Sequence, residues 1–192
     1  MKTNLNSILL NASVLLAGAL LATGCQSNKS ACCTAPATES AAVAPTAEAP
    51  PVKVTLKLAR VDSEETAGEN GGGANAVDGN PNTLWHTQWQ DANPEHPHEI
   101  VIELMPPATI KGFTYLPRQD DSDHGDIKDY EFFASNDGDD FGQPVAKGAF
   151  ENGKELKTVT FAPRACRFIK LKALSEVNGE AWTSAAEIGV VQ

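Results

Sequence analysis

Cysteine is scarce where a fold would need it. Of four in the chain, Cys25, Cys32 and Cys33 crowd into the first 33 residues, and Cys166 stands alone further on, so no disulfide framework is available. Basic residues are also short: 15 Lys and Arg face 25 Asp and Glu, for a formal charge of −10. A surface of that sign argues against nucleic acid, or an anionic membrane face, as the partner. Catalytic signatures are missing too, with no HExxH, GxSxG, P-loop or CxxC pair. His86, His96, His98 and His124, together with the run Asp120–Asp126, would be the raw material of a metallohydrolase centre. Without one of those spacings, and with no room for a second catalytic domain, the expectation is a non-catalytic protein. No amphipathic helix and no tandem repeat stands out after residue 52.

What is present divides the chain into three. Residues 1–24 read as an export signal: Lys2 near the start, then an apolar run from Ile8 to Ala22 that is short and ends in small residues. The run closes Leu20-Leu21-Ala22-Thr23-Gly24-Cys25, which resembles a bacterial lipobox with Ala22 in the place usually held by Leu. That resemblance implies lipidation at Cys25, membrane attachment through the lipid anchor alone, and a place in the cell envelope as an outer-membrane lipoprotein. Residues 25–51 follow as a tether. Eight of the 26 residues from Gln26 to Pro51 are Ala and four are Pro, a composition that cannot bury a core. Residues 52–192 remain, enough for one domain with a single core.

In that domain the hydrophobic period is two. Ile100, Ile102 and Leu104 share one face with Glu99 and Glu103 opposite, and the pairs Phe113 and Tyr115, Tyr130 and Phe132, Ile169 and Leu171 repeat the alternation. Turn signals separate the runs at Met105-Pro106-Pro107, Asn136-Asp137-Gly138, Asn152-Gly153, Ala162-Pro163 and Asn178-Gly179. Short strands with such spacing predict an all-β, antiparallel β-sandwich. Asn136–Asp140 is too short for a calcium loop and reads as a turn. Two polar stretches, about 62–97 and 118–126, are too long for hairpin loops and are where binding is expected.

The first of these holds NAVDGNPNTLWHTQW, from Asn75 to Trp89. Asp78, Asn80 and Thr83 put several hard oxygen donors on one sharply turning segment. The residues alone leave two readings open: a tight turn between strands, or half of an oxygen cage for a cation of the calcium type. Trp85, closing the turn inward, is expected in the core; Trp89 stands between the rim of a site and a lid over the core.

Four motifs in order, Ala76-Val77-Asp78-Gly79-Asn80, Thr83-Leu84-Trp85-His86-Thr87, Leu116-Pro117-Arg118-Gln119-Asp120 and Trp182-Thr183-Ser184-Ala185-Ala186-Glu187-Ile188, resemble the coagulation-factor type C (discoidin) domains. They are most similar to the galactose-binding carbohydrate-binding modules of that family. The resemblance covers about residues 54–192 and implies an eight-stranded jelly-roll sandwich with its termini close together. It implies a structural calcium held by the carbonyls of Asn75, Asn80 and Ala186, the side chains of Asp78 and Glu187, and both oxygens of Thr83. It also implies a sugar site, with Gln88, His98 and Arg118 as polar contacts and Trp182 as the stacking platform. The family's Asn, five places after the Arg, is Asp123 here, which accepts from a hydroxyl but cannot donate.

Together these make the expected protein a lipid-anchored, non-catalytic module that binds galactose-type or related glycans at the bacterial cell envelope. The alternative is a discoidin-fold scaffold for protein–protein or envelope assembly, without sugar binding.

Overall fold

The computed structural model describes residues 52–192; the expected export signal, Cys25 and the expected tether lie outside the described residues. Eight strands follow in order: β1 (Thr55–Val61), β2 (Trp85–His86), β3 (His98–Leu116), β4 (Asp129–Ser135), β5 (Ala146–Ala149), β6 (Lys157–Ala173), β7 (Ser184–Ala185) and β8 (Glu187–Val191). All named pairings are antiparallel. The main sheet runs β1-β3-β6-β4-β5 with β8 added on β3, and β2 pairs β7 separately. The all-β antiparallel sandwich expected from the alternation is the fold found. Among the described residues the helical content is a single 3₁₀ turn at Gly73–Val77.

Two long strands make the sandwich. The first half of β3 lies between β1 and β6, whereas Gly112–Leu116, at its other end, pairs with β8. Met105-Pro106-Pro107 and Ala162-Pro163, expected as turns, sit inside β3 and β6 instead. The prolines act there by breaking the ladder: the β3–β6 register shifts between Glu103 and Ala108, which is how a strand containing Pro bends without ending. The bend folds the two halves of β3 onto one core. Phe113, from the far half, stacks on Phe132 of β4 at 4.0 Å between centroids and 3° between planes, across the sandwich. Ile100, Ile102, Leu104, Ile110, Ile169, Leu171 and Ile188 are fully buried around that stack, with Trp85 as expected. Burying each such side chain contributes about 1.5 to 3 kcal/mol. Val101 points the other way and is buried as well, beneath Phe133 and Phe141 on the outer face. At the ends, the Gln192 side-chain amide donates to the Val52 carbonyl at 3.2 Å, bringing the domain termini together.

The long loop between β1 and β3 is held from inside by one carboxylate. Glu65 Oε1 accepts the N–H groups of Ala67 and Gly68, both at 2.7 Å, and Oε2 accepts those of Trp89 and Gln90, both at 2.8 Å. The Trp89, Gly68 and Gln90 N–H groups hold the Glu65 carboxyl far below its ordinary value, at about 2. Such a group adds stability above the unfolded-state value of about 4.5, and that stability fades as the pH falls through about 2. Glu65→Gln therefore lowers the thermal unfolding midpoint by several degrees at neutral pH. The gap between variant and wild type closes between about pH 4.5 and 2, as scanning calorimetry across that range will read. A gap that does not change with pH contradicts this role.

Candidate functional site

Three segments far apart in sequence meet at one hollow of about 250 Å³, lined by Glu69, His86, Trp89, Arg118, Ser122, His124 and Trp182. Glu69 and Trp89 come from the first long loop and His86 from β2; Arg118, Ser122 and His124 come from the loop after β3, and Trp182 precedes β7. The close approach of these loops is built in. Gly125 has φ +84°, and a Cβ there would lie 2.8 Å from the Ser184 nitrogen, so only glycine lets 118–126 lie against the chain beside Trp182. Buried Glu176 fastens the same corner: its carboxylate accepts from the N–H groups of Gly125 (3.3 Å), Asn178 (2.6 Å) and Glu180 (3.1 Å), and from the Asn178 side-chain amide (3.1 Å).

Arg118 is held in place before any ligand arrives. Its Nε and one terminal nitrogen each donate to Asp120 at 2.7 Å, and the other terminal nitrogen donates to the His124 carbonyl at 3.1 Å. Three of a guanidinium's five N–H donors are thus used, leaving two. His86, only 2% exposed, has Nδ1 at 2.7 Å from the Thr87 carbonyl. Burial pushes its pKa below the usual imidazole value against the pull of that carbonyl and of Glu69. The ring is therefore neutral at neutral pH with its proton on Nδ1, and Nε2 is an acceptor. Glu69 completes the polar set; its Oε1 accepts the Trp89 indole N–H at 3.0 Å and lies 3.9 Å from His86 Nδ1. Trp89 is 39% exposed with its ring seated on Gly68, where a Cβ would come within 2.6 Å of the indole. Trp89 is thus at the rim. Trp182 is half-buried between His124 and His86, at ring-centroid distances of 5.1 and 6.4 Å.

Of the residues named from sequence for the sugar site, Arg118 and Trp182 line this hollow, and three do not. His98 is fully buried; its Nδ1 meets Asp62 at 2.8 Å, and its Nε2 meets the carbonyls of Ala181 at 2.9 Å and Pro94 at 3.1 Å. The imidazoles that line the hollow are those of His86 and His124. The period of two carried the warning, since His98 has the parity of Ile100, Ile102 and Leu104 and so faces inward. Gln88 is half-buried beside Ser63, whose hydroxyl accepts its backbone N–H at 2.9 Å. Asp123 is turned toward the Asn178 and Asn152 side chains, which with nearby Lys154 keep its carboxyl low, and Ser122 takes the place on the hollow. Glu69 gave no periodic or motif signal in the sequence.

Of the residues named for a cation, Asp78, Asn80, Thr83 and Glu187 lie together. Asp78 Oδ1 accepts the Asn80 N–H at 2.8 Å, Oδ2 accepts the Thr83 hydroxyl at 2.8 Å, and that hydroxyl is also 2.8 Å from the Asn80 carbonyl. Asn75 lies in the 3₁₀ turn just before, its side-chain amide donating to the carbonyls of Asn70 and Leu84. Glu187 opens β8 directly after Ala186, and its Oε1 is buried without a hydrogen-bond partner. Burial and the neighbouring Asp78 raise the Glu187 pKa. A partly buried carboxylate with an orphaned oxygen, a second carboxylate beside it, and nearby hydroxyl and carbonyl oxygens form a donor set suited to a hard divalent cation. Among the described residues no group of three or more His, Cys, Asp or Glu converges, so carboxylates and imidazoles alone build no metal centre.

Known proteins share the sequence and fold of this domain. The chain is 40% identical over 136 residues to a sialidase of Micromonospora viridifaciens, covering 70% of this chain and 21% of that one. It is 39% identical over 118 residues to galactose oxidase of Gibberella zeae, covering 61% of this chain and 17% of that one. The chain thus spans about a fifth of the length of these relatives. Among solved structures, the Clostridium perfringens module CpGH89CBM32-5, in complex with GalNAc-β-1,3-galactose, superposes with a TM-score of 0.65 at 36% identity, over 72% of this chain and 96% of that one. The family 32 module of Clostridium perfringens NanJ, in complex with galactose, gives 0.60 at 32%, over 71% and 92%. These neighbours are carbohydrate-binding modules, which are non-catalytic, and the domain shares their fold. The model of the F5/8 type C domain matches residues 60–188, more than half of the chain, and the protein belongs to that family.

Proposed function

We propose that this protein is a carbohydrate-binding module for galactose-type or related glycans, held at the bacterial cell envelope by a lipid on Cys25. The observation that carries the reading is the composition of the hollow. A sugar hydroxyl both donates and accepts, and the hollow offers free donors from Arg118, acceptors from Glu69 and His86, and indole faces from Trp182 and Trp89 for the apolar side of a ring. The Trp89 indole and the Arg118 guanidinium are already fixed by hydrogen bonds, so little rotamer entropy is lost by them on binding. A single small open site of this kind binds weakly, with Kd on the order of 1 mM, or about 4 kcal/mol. Many copies tethered to one membrane would compensate through avidity. The sugar-bound structural neighbours support the ligand class; the lipobox-like end of the export signal supports the anchor.

Calcium belongs to the same proposal. Asp78, Glu187 and Thr83, with the carbonyls of Asn75, Asn80 and Ala186, would hold it, and it would supply the positive charge that the Glu187 carboxylate lacks. Its effect is structural: it joins the start of β8 to the first long loop.

Calorimetric titration with galactose, N-acetylgalactosamine and lactose tests the ligand class. At least one of them binds the wild type in the millimolar range, and Trp182→Ala or Arg118→Ala weakens that binding about tenfold or more with the melting profile unchanged. No binding of any of the three sugars, with Arg118→Ala indistinguishable from wild type, would leave the fold as a scaffold for envelope assembly, and binding unaffected by both substitutions would put the sugar outside the hollow. For the cation, excess calcium raises the thermal midpoint of chelator-treated protein by about 5 to 10 °C. Glu187→Gln abolishes that gain while leaving the metal-free midpoint equal to or above wild type, because the substitution removes a buried like-charge neighbour. A calcium response that survives in Glu187→Gln refutes the assignment.

A further inference from the structure

His98 has no part in the hollow, yet it is surrounded in a way that constrains its charge. All three atoms facing its ring nitrogens are acceptors: the Asp62 carboxylate at Nδ1, and the Ala181 and Pro94 carbonyls at Nε2. Neutral imidazole carries one N–H, so in that state one nitrogen lone pair would face an oxygen lone pair in a fully buried site. The arrangement is satisfied when both nitrogens donate. The three acceptors lie on three different segments: Asp62 directly after β1, Pro94 in the loop before β3, and Ala181 next to Trp182. Asp62 is fixed in turn, its Oδ1 accepting the Glu99 N–H at 2.8 Å.

We propose that His98 is a positioning residue that works as an imidazolium, holding the Trp182 segment against β1 and β3, so that the hollow keeps its shape while His98 is charged and loosens when it loses a proton. The inference rests on the reading of the hollow as a sugar site. The groups around the ring agree with it. The residue directly after β1 contributes the Asp62 carboxylate, β6 sets uncharged Ala173 opposite His98, and the segment before Trp182 contributes a carbonyl. The neighbouring ring is His96, 5.1 Å away between centroids, with its Nε2 at 3.1 Å from the Thr183 hydroxyl and with Glu95 and Glu176 nearby. Burial, and then the charge on His98, push the His96 pKa down, so the pair shares one positive charge. Burial opposes the charge on His98 as well, but the Asp62 hydrogen bond and charge, with the two carbonyls, outweigh it and raise its pKa above the ordinary value of 6.5. The stabilisation is therefore complete below about pH 6.5 and is lost as the pH rises through the raised value. His86, whose pKa is lowered, titrates on the acid side of that window, so the two effects separate.

The test uses the full chain, following the ring-nitrogen resonances of His98 and the indole N–H resonance of Trp182 against pH, with galactose titrated calorimetrically over the same range. His98 is expected to carry two protons at pH 6 and to lose one at higher pH. The Trp182 resonance should move with the same midpoint, and galactose affinity should fall about fivefold or more across it. Asp62→Asn should move all the midpoints to lower pH together, a response that a merely structural contact would not give. A Trp182 resonance or an affinity that stays flat through the His98 titration, or midpoints that separate in Asp62→Asn, overturns the proposal. The wild-type curves decide the matter should the variant fail to fold. If galactose binds at no pH, the sugar reading falls; a shared His98 and Trp182 midpoint then still upholds the positioning role, and its absence ends it.

Discussion

Loops long enough to enclose a hollow carry more backbone N–H groups than a β-scaffold can pair, and an unpaired buried donor costs about 1 to 3 kcal/mol. Two carboxylates remove that constraint here. Glu65 gathers four backbone N–H groups from both ends of the 65–90 region, and Glu176 gathers three together with a side-chain amide from the two loops beside Trp182. Both are buried. The hollow depends on them, because Glu65 binds the N–H of Trp89 itself, and Gly125 and Glu180, bound by Glu176, flank the approach to Trp182.

A third carboxylate shows the same physics with a different ending. Glu65 is stabilised as an anion by N–H dipoles, so its pKa falls; Glu187 is half-buried beside another acid with an oxygen left over, so its pKa rises. In the proposed reading, calcium would supply the positive charge that this pair lacks at the joint between the last strand and the first long loop. His98 is the cationic counterpart, a buried ring among acceptors.

Much of the fold was legible because periodicity reports burial directly. Ile100, Ile102 and Leu104, Phe113 and Tyr115, and Ile169 and Leu171 fall where alternation places them, and Trp85 is in the core. The prolines misled, since Pro106 and Pro163 bend strands as well as end them, and only the register shift distinguishes the two cases. Arg118 and Trp182 could be placed on the hollow from motif order. His86 and His98 were harder to tell apart because each sits beside a run of buried residues, and a two-residue strand such as β2 is too short to show a period. Glu65 and Glu176 were not legible at all, because their roles are set by backbone groups up to 51 residues away, and Glu69 was not because its role is set by the Trp89 side chain 20 residues on; neither leaves a mark on local composition.

The central claim is that the hollow between Trp89 and Trp182 receives the sugar. Backbone and side-chain chemical-shift mapping during galactose titration addresses it most directly. The account predicts that the largest saturable shifts fall on Glu69, His86, Trp89, Arg118, His124 and Trp182, with the outer face at Phe133 and Phe141 silent. Shifts centred elsewhere, or none at saturating sugar, would contradict it.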